Sequence, residues 1–248
     1  MQIGGFVPCS LSDFPGRPAA VLFTQGCNYR CPFCQNGGLI RIGSGRLEEL
    51  AVMAQLAERR GLLDVGVVSG GEPTLQPDLP RVCAHLQAMG FAVKLDTNGS
   101  RPAVLHALLA DQLVDYVAMD VKAPPAKYAA LTVVAPDLAA IRESILLLSA
   151  SGIPHQFRTT VVEPLLTLPD LDAIRRMLPD SSSYIRQPFR PEHALDPALH
   201  VQTPPFRAPA LVPPRPNACT PVAASPGSVG NPDPPASCEP LSGNAPAA

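Results

Sequence analysis

The stretch "GCNYRCPFCQN", residues 26–36, holds three cysteines, Cys27, Cys31 and Cys34, in the spacing C-x-x-x-C-x-x-C. Three soft ligands on one short loop point to metal chemistry. A structural zinc site closes its shell with four ligands, and an electron-carrying cubane likewise uses four cysteines. Three thiolates on a four-iron cluster leave one iron open to an outside ligand, which is what a catalytic centre keeps. Cys9 is the candidate for a fourth ligand that would instead close a zinc site or a cluster. Cys83 falls in a helical segment, where a thiol usually packs, and Cys219 and Cys238 have no partner spacing. The loop alone leaves an open cluster, a closed site and a zinc site as readings.

The segments on either side of this loop decide its setting. Strand-like runs occupy 19–25, 64–70, 91–97, 115–121, 155–162 and 183–189, aliphatic and mostly continuous, as in parallel strands buried on both faces. Helical patterns lie between them at 46–60, 77–89, 101–113, 136–150 and 168–178. The first is read with Leu47, Leu50, Ala54 and Ala57 on its buried stripe. Gly61, Gly90 and Gly152 follow three of these helices, where a left-handed cap favours glycine. Repeated βα units predict an α/β fold, either a partial barrel or an open doubly wound sheet. In both, active groups gather on the loops after the carboxyl ends of the strands. The polar clusters fall there: the cysteine loop, then "SGGEP" (69–73), "DTNG" (96–99) and "MDVKAP" (119–124), with Arg158 in the fifth strand and Gln187 and Arg190 at the sixth.

Composition bounds the rest. The chain has 248 residues, 19 basic against 21 acidic, a net charge of −2 that argues against nucleic-acid binding through a general basic field. Seven cysteines, an odd number with three inside eight positions, favour metal or redox chemistry over a disulfide framework. No apolar run reaches the roughly 18 residues of a membrane span, and "MQIGGFVPCS" has neither basic start nor apolar core, so a cytoplasmic protein is expected. Residues 204–248 carry 13 of the 31 prolines and no helical or strand period. The organisation predicted is a catalytic domain over 1–200 and a disordered Pro-rich tail over 201–248.

With Phe33 just before its third cysteine, the loop resembles the cysteine motif of the radical S-adenosylmethionine (SAM) superfamily. More narrowly, "SLSDFPGRPAAVLFTQGCNYRCPFCQN" (10–36), "GVVSGGEPTLQPDLP" (66–80), "VKLDTNGSRP" (93–102), "DYVAMDVKAP" (115–124) and "FRTTVV" (157–162) together resemble activating enzymes of glycyl-radical proteins. The resemblance runs from about residue 3 to 197 and implies a partial (β/α)6 barrel. It implies a [4Fe–4S] cluster on Cys27, Cys31 and Cys34 whose open iron binds SAM, and abstraction of a glycine Cα hydrogen. The implied SAM-binding set is Phe33, Gly70, Gly71, Glu72, Asp96, Asn98, Asp120, Lys122 and Arg158, and Asp96 and Asp120 are also placed to hold a cation. Anaerobic ribonucleoside-triphosphate reductase is the implied protein substrate, and a flavodoxin or ferredoxin the implied electron donor.

Two positions depart from the family pattern. Gln35 stands where the activating enzymes usually have histidine, and it cannot titrate near neutral pH. "VVEP" (161–164) lacks the expected glycine. A radical SAM enzyme acting on a small molecule, of the deazaguanine-synthase type, therefore stays open, as does a non-catalytic metal-binding module.

Overall fold

The computed structural model describes residues 1–200 apart from Pro164, so the predicted tail lies outside the described residues. Its frame is a seven-stranded sheet in the order β1 (Ile3–Ser10), β2 (Ala19–Thr24), β3 (Val65–Gly70), β4 (Ala92–Thr97), β5 (Tyr116–Asp120), β6 (His155–Val161) and β7 (Ser183–Pro188). Every step from β2 to β7 is parallel; β1 runs antiparallel to β2 at one edge. The helices α1 (Glu49–Ala57), α2 (Leu79–Ala88), α3 (Pro102–Ala110), α4 (Pro125–Thr132), α5 (Leu138–Ala150) and α6 (Leu168–Met177) form the crossovers. The sheet does not close on itself, since β1 and β7 are not neighbours, and six parallel strands in sequence order make a partial barrel.

The period of two along each strand sorts the core. Ala20 and Leu22 of β2, Val68 of β3, Leu95 of β4 and Met119 of β5 point toward the helices and join Leu56, Leu86 and Ile141 in the main core. Ala19, Val21, Val65 and Val67 point the other way and form a smaller cluster with Phe14 and Phe23. Phe14 meets Tyr116 edge-on, at 5.3 Å between ring centroids, and the Asp13 carbonyl accepts from Lys94 Nζ at 2.6 Å.

The expected strands and helices are found within three residues at each end. Gly61, Gly90 and Gly152 take φ of +80°, +91° and +73°, the left-handed region in which a Cβ is costly. The stripe assigned to α1 needs correction: Val52, Met53 and Leu56 are buried, while Leu50 is 85% exposed and Leu47 41%. The helix is apolar on two faces, and burying Val, Met and Leu removes more apolar area from water than burying Ala54 and Ala57 would. β1 and α4 were not anticipated. No helix among the described residues is long and apolar enough to cross a membrane.

Candidate active site

At the carboxyl ends of the strands a cavity of about 290 Å³ opens. The three loop cysteines line it, together with Phe33, Gly70, Gly71, Glu72, Asp96, Asn98, Asp120, Lys122 and Arg158, so every predicted site residue reaches one space. Gln187 lines it as well; Arg190 is exposed and does not.

The cysteine loop is held in place by its backbone. Gly26 N–H donates to Leu39 O at 2.7 Å and Cys27 N–H to Ile40 O at 3.0 Å, so the returning segment zips against it. Cys27, Cys31 and Cys34 are unpaired thiols, and the Tyr29 amide lies 3.4 Å from Cys27 Sγ, an N–H···S contact. Burial raises the pKa of Cys27 against the pull of that amide, and pushes the Cys31 thiol up to about 11. A metal must therefore displace their protons. The three free thiols line one cavity, and three thiolates on a four-iron cluster leave one iron open, so the donor set suits the cluster. Cys9 cannot complete a fourth position: Ile3 pairs with Thr24 and Ser10 with Ala19, which puts Cys9 a strand length away from Cys27.

Gly70 and Gly71 explain how β3 reaches this loop. Gly70 has φ of +121°, and a Cβ there would collide with the Thr24 backbone; one on Gly71 would collide with the Gly26 carbonyl. Without side chains the two backbones bond, Gly71 N–H to Thr24 O at 3.0 Å and Glu72 N–H to Gly26 O at 2.8 Å. The glycines thus press the end of β3 against the cysteine loop.

Glu72 and Asn98 line the cavity, but their polar atoms are largely engaged within the protein. Glu72 Oε1 accepts from Thr74 N–H at 3.1 Å, Thr74 Oγ1 at 2.6 Å and Thr97 Oγ1 at 2.7 Å, and its Oε2 accepts from Asn98 N–H at 2.7 Å. Burial raises the Glu72 pKa in spite of these donors. Asn98 Nδ2 donates to Asn28 Oδ1 at 2.9 Å, and Asn28 Nδ2 donates to Ser100 Oγ at 2.9 Å. Both residues latch the loops after β2, β3 and β4 together.

The opposite wall is a chain of charges. Strand period and register place Lys94 and Asp96 of β4, Asp120 of β5 and Arg158 of β6 on the concave face, with Asp120 directly opposite Arg158. Lys94 Nζ lies 3.1 Å from Asp96 Oδ1, Arg158 Nη1 3.5 Å from the same atom, Arg158 Nε 2.8 Å from Asp120 Oδ1, and Lys122 Nζ 3.0 Å from Asp120 Oδ2. The cation between Asp96 and Asp120 is the Arg158 guanidinium. Burial opposes the Asp120 carboxylate, yet Arg158 and Lys122 hold its pKa down at about 2. Burial likewise opposes the charge on Lys122 and Arg158, and the carboxylates keep both above their ordinary values. Asp96 Oδ2 accepts from Ser69 Oγ at 3.0 Å, while Oδ1, buried, accepts no aligned hydrogen bond.

Asp13, Tyr29, Ser69, Thr97 and Thr160 also line the cavity and were not singled out from the sequence. Tyr29 lies inside the cysteine loop and could have been read from its place there. Lys94, the outer link of the charge chain, sits two residues before Asp96, on the same face of a strand, which was a legible signal.

The sequence and the fold both match known proteins. The radical SAM superfamily matches residues 21–178. A Methanocaldococcus jannaschii protein named as a candidate glycyl-radical enzyme activating enzyme is 32% identical over 212 residues, covering 78% of this chain and 82% of its own. The 7-carboxy-7-deazaguanine synthase of Methanopyrus kandleri is 39% identical over 132 residues, 45% of this chain and 52% of its own. The solved structure of anSMEcpe with bound AdoMet and the Kp18Cys peptide superposes with a TM-score of 0.51 at 13% identity, over 67% of this chain and 49% of that one, a likeness of fold. Radical SAM proteins are enzymes that use a [4Fe–4S] cluster and SAM, and this chain belongs to the radical SAM superfamily.

Proposed function

We propose that the protein activates a glycyl-radical enzyme, with anaerobic ribonucleoside-triphosphate reductase as the substrate. The observation that carries this reading is the convergence, in one cavity, of three unpaired cysteines with the glycine-tied end of β3 and an ion-paired wall. The likeness to a candidate activating enzyme along most of both chains supports it.

Cys27, Cys31 and Cys34 would hold the cluster. Held there, the cluster would supply the one-electron reduction of SAM that gives methionine and a 5′-deoxyadenosyl radical able to take a hydrogen atom. The residues of the chain position what reacts. Lys122 and Arg158 offer charge-assisted donors to the methionine carboxylate, and their own pairing with Asp120 keeps them fixed before SAM arrives. Asp96 and Asp120 line the cavity and present their carboxylates toward a SAM hydroxyl or ammonium. Phe33, buried at the cavity wall, gives the adenine an apolar surface. Glycine suits such chemistry as a target because no side chain blocks its Cα hydrogen, and contact distance is needed for transfer.

The likeness to a deazaguanine synthase over about half of each chain favours a second reading, a small-molecule substrate. One experiment separates them. The protein is reconstituted anaerobically with iron and sulfide and reduced with dithionite in the presence of SAM. We expect 5′-deoxyadenosine, and a glycyl-radical resonance when the reductase is added. Deoxyadenosine without that resonance, but with formation of a 7-carboxy-7-deazaguanine product, would transfer the assignment to the second reading. No deoxyadenosine from cluster-loaded protein would remove both.

A further inference from the structure

Between Asp13 and Glu48 the chain has no carboxylate at all, although acidic residues outnumber basic ones overall, 21 to 19. The part of this stretch that surrounds the cysteines, residues 26–47, carries Arg30, Arg41 and Arg46. All three are exposed, and among the described residues none has a carboxylate within ion-pair distance. Arg41 and Arg46 rim a second hollow of about 320 Å³, floored by Gln25 and Gly38 and carrying Ile42, 69% exposed, on its lip. An apolar residue between unpaired arginines is the composition of a contact surface rather than of a solvated loop.

This surface is tied directly to the metal-binding loop. Ile40, the residue before Arg41, accepts the Cys27 amide at 3.0 Å, and Gln25 Nε2 donates to Arg41 O at 2.8 Å and to Gly38 O at 3.3 Å. A protein seated on the hollow would stand one backbone layer from a cluster ligand, outside the cavity that holds SAM. We infer that the Arg41–Arg46 loop is the docking surface for an acidic one-electron carrier protein. The inference rests on the proposed function, which requires an outside electron. Each productive encounter moves one electron: the carrier is oxidised by one, the cluster is reduced by one, and no bond or proton changes hands at the interface. Charge complementarity of this kind sets encounter rate and salt dependence.

The test is binding of a fluorescently labelled acidic flavodoxin to the full-length holoenzyme, read by anisotropy at about 50 mM and about 300 mM NaCl. Wild-type affinity should fall with salt. The double variant R41E/R46E should raise Kd at least about tenfold at low salt, R41Q/R46Q by an intermediate factor, and R59E/R60E, beyond α1, by less than about twofold. Equal Kd for R41E/R46E and wild type would overturn the inference and leave the patch to another acidic partner. Equal weakening by R59E/R60E would overturn it too, as a field effect of the whole protein. Dithionite-driven deoxyadenosine formation is measured on the same samples. R41E/R46E should match wild type; a loss confined to the variant would make the loop part of the catalytic machinery instead. No product from wild type would sink the proposed function, a failure distinct from an unchanged Kd.

Discussion

The two walls of the cavity are built on different principles. The wall from β2 and β3 is neutral, made of thiols and glycines fixed by backbone hydrogen bonds such as Gly71 to Thr24 and Cys27 to Ile40. The wall from β4 to β6 is ionic, five side chains from Lys94 to Lys122 fixed by one another. Backbone fixation tolerates no added atom, as the collisions behind Gly70 and Gly71 show. Ionic fixation tolerates no missing partner, because an uncompensated buried charge is expensive. One wall can therefore receive a metal and the other the charged ends of a ligand, without competing for the same groups.

The largest break should come from the neutral wall. Cys31→Ala should abolish deoxyadenosine formation and lower the iron content, whereas Cys9→Ala should leave both at wild-type level, measured by iron analysis and mass spectrometry. An equal loss in the two variants would mean that Cys9 is a ligand after all.

On the ionic wall, Arg158→Ala removes the guanidinium between Asp96 and Asp120, whose side chains and its own are mostly buried. A cost of about 3–5 kcal/mol is expected, a fall in Tm on the order of 10 °C by calorimetry. A change under about 1 kcal/mol would show that the charges are solvated separately.

The same wall carries a pH dependence with a definite sign. Asp120 titrates at about 2 when folded against an ordinary 3.8, so its contribution is present above pH 3.8 and lost as pH falls toward 2. Roughly 2 kcal/mol of the stability difference between wild type and Asp120→Asn should vanish across that window. Acid titration of denaturant midpoints checks it; a constant difference would refute the depressed pKa. The smallest effect sits at the seam between the walls. Thr97→Val removes one of three donors to Glu72 Oε1 and should cost about 1 kcal/mol, with an unchanged denaturant slope.

What the sequence disclosed follows the same division. The cysteine spacing, the "SGGEP" glycines and the strand runs are local signals, and the neutral wall depends on local backbone. β1 escaped because two glycines and a proline in "IGGFVPCS" lower strand propensity, and an edge strand needs no continuous apolar run. α4 escaped because "PAKYAALT" is short and follows Pro124, which reads as a loop although proline suits a first helical turn. Lys94 and Thr74 are sequence neighbours of Asp96 and Glu72, but Arg158 on Asp96, Thr97 on Glu72 and Asn28 on Asn98 come from other strands and loops, and pairing at that range is decided by register. Their residue types announced a polar rim; only the fold shows that Glu72 and Asn98, which line it, also hydrogen-bond across the loops.

The latched cysteine loop has a consequence for the life of the protein. Its ends are bonded to Leu39 and Ile40, its flank to Glu72, and Asn28 to Asn98 and Ser100. None of these ties involves a metal. Small metal-nucleated domains unfold when stripped, since binding energy is their folding energy. Here the scaffold is assembled by its own sheet and core, so oxidative loss of iron should inactivate the enzyme while leaving a folded protein that can be reloaded.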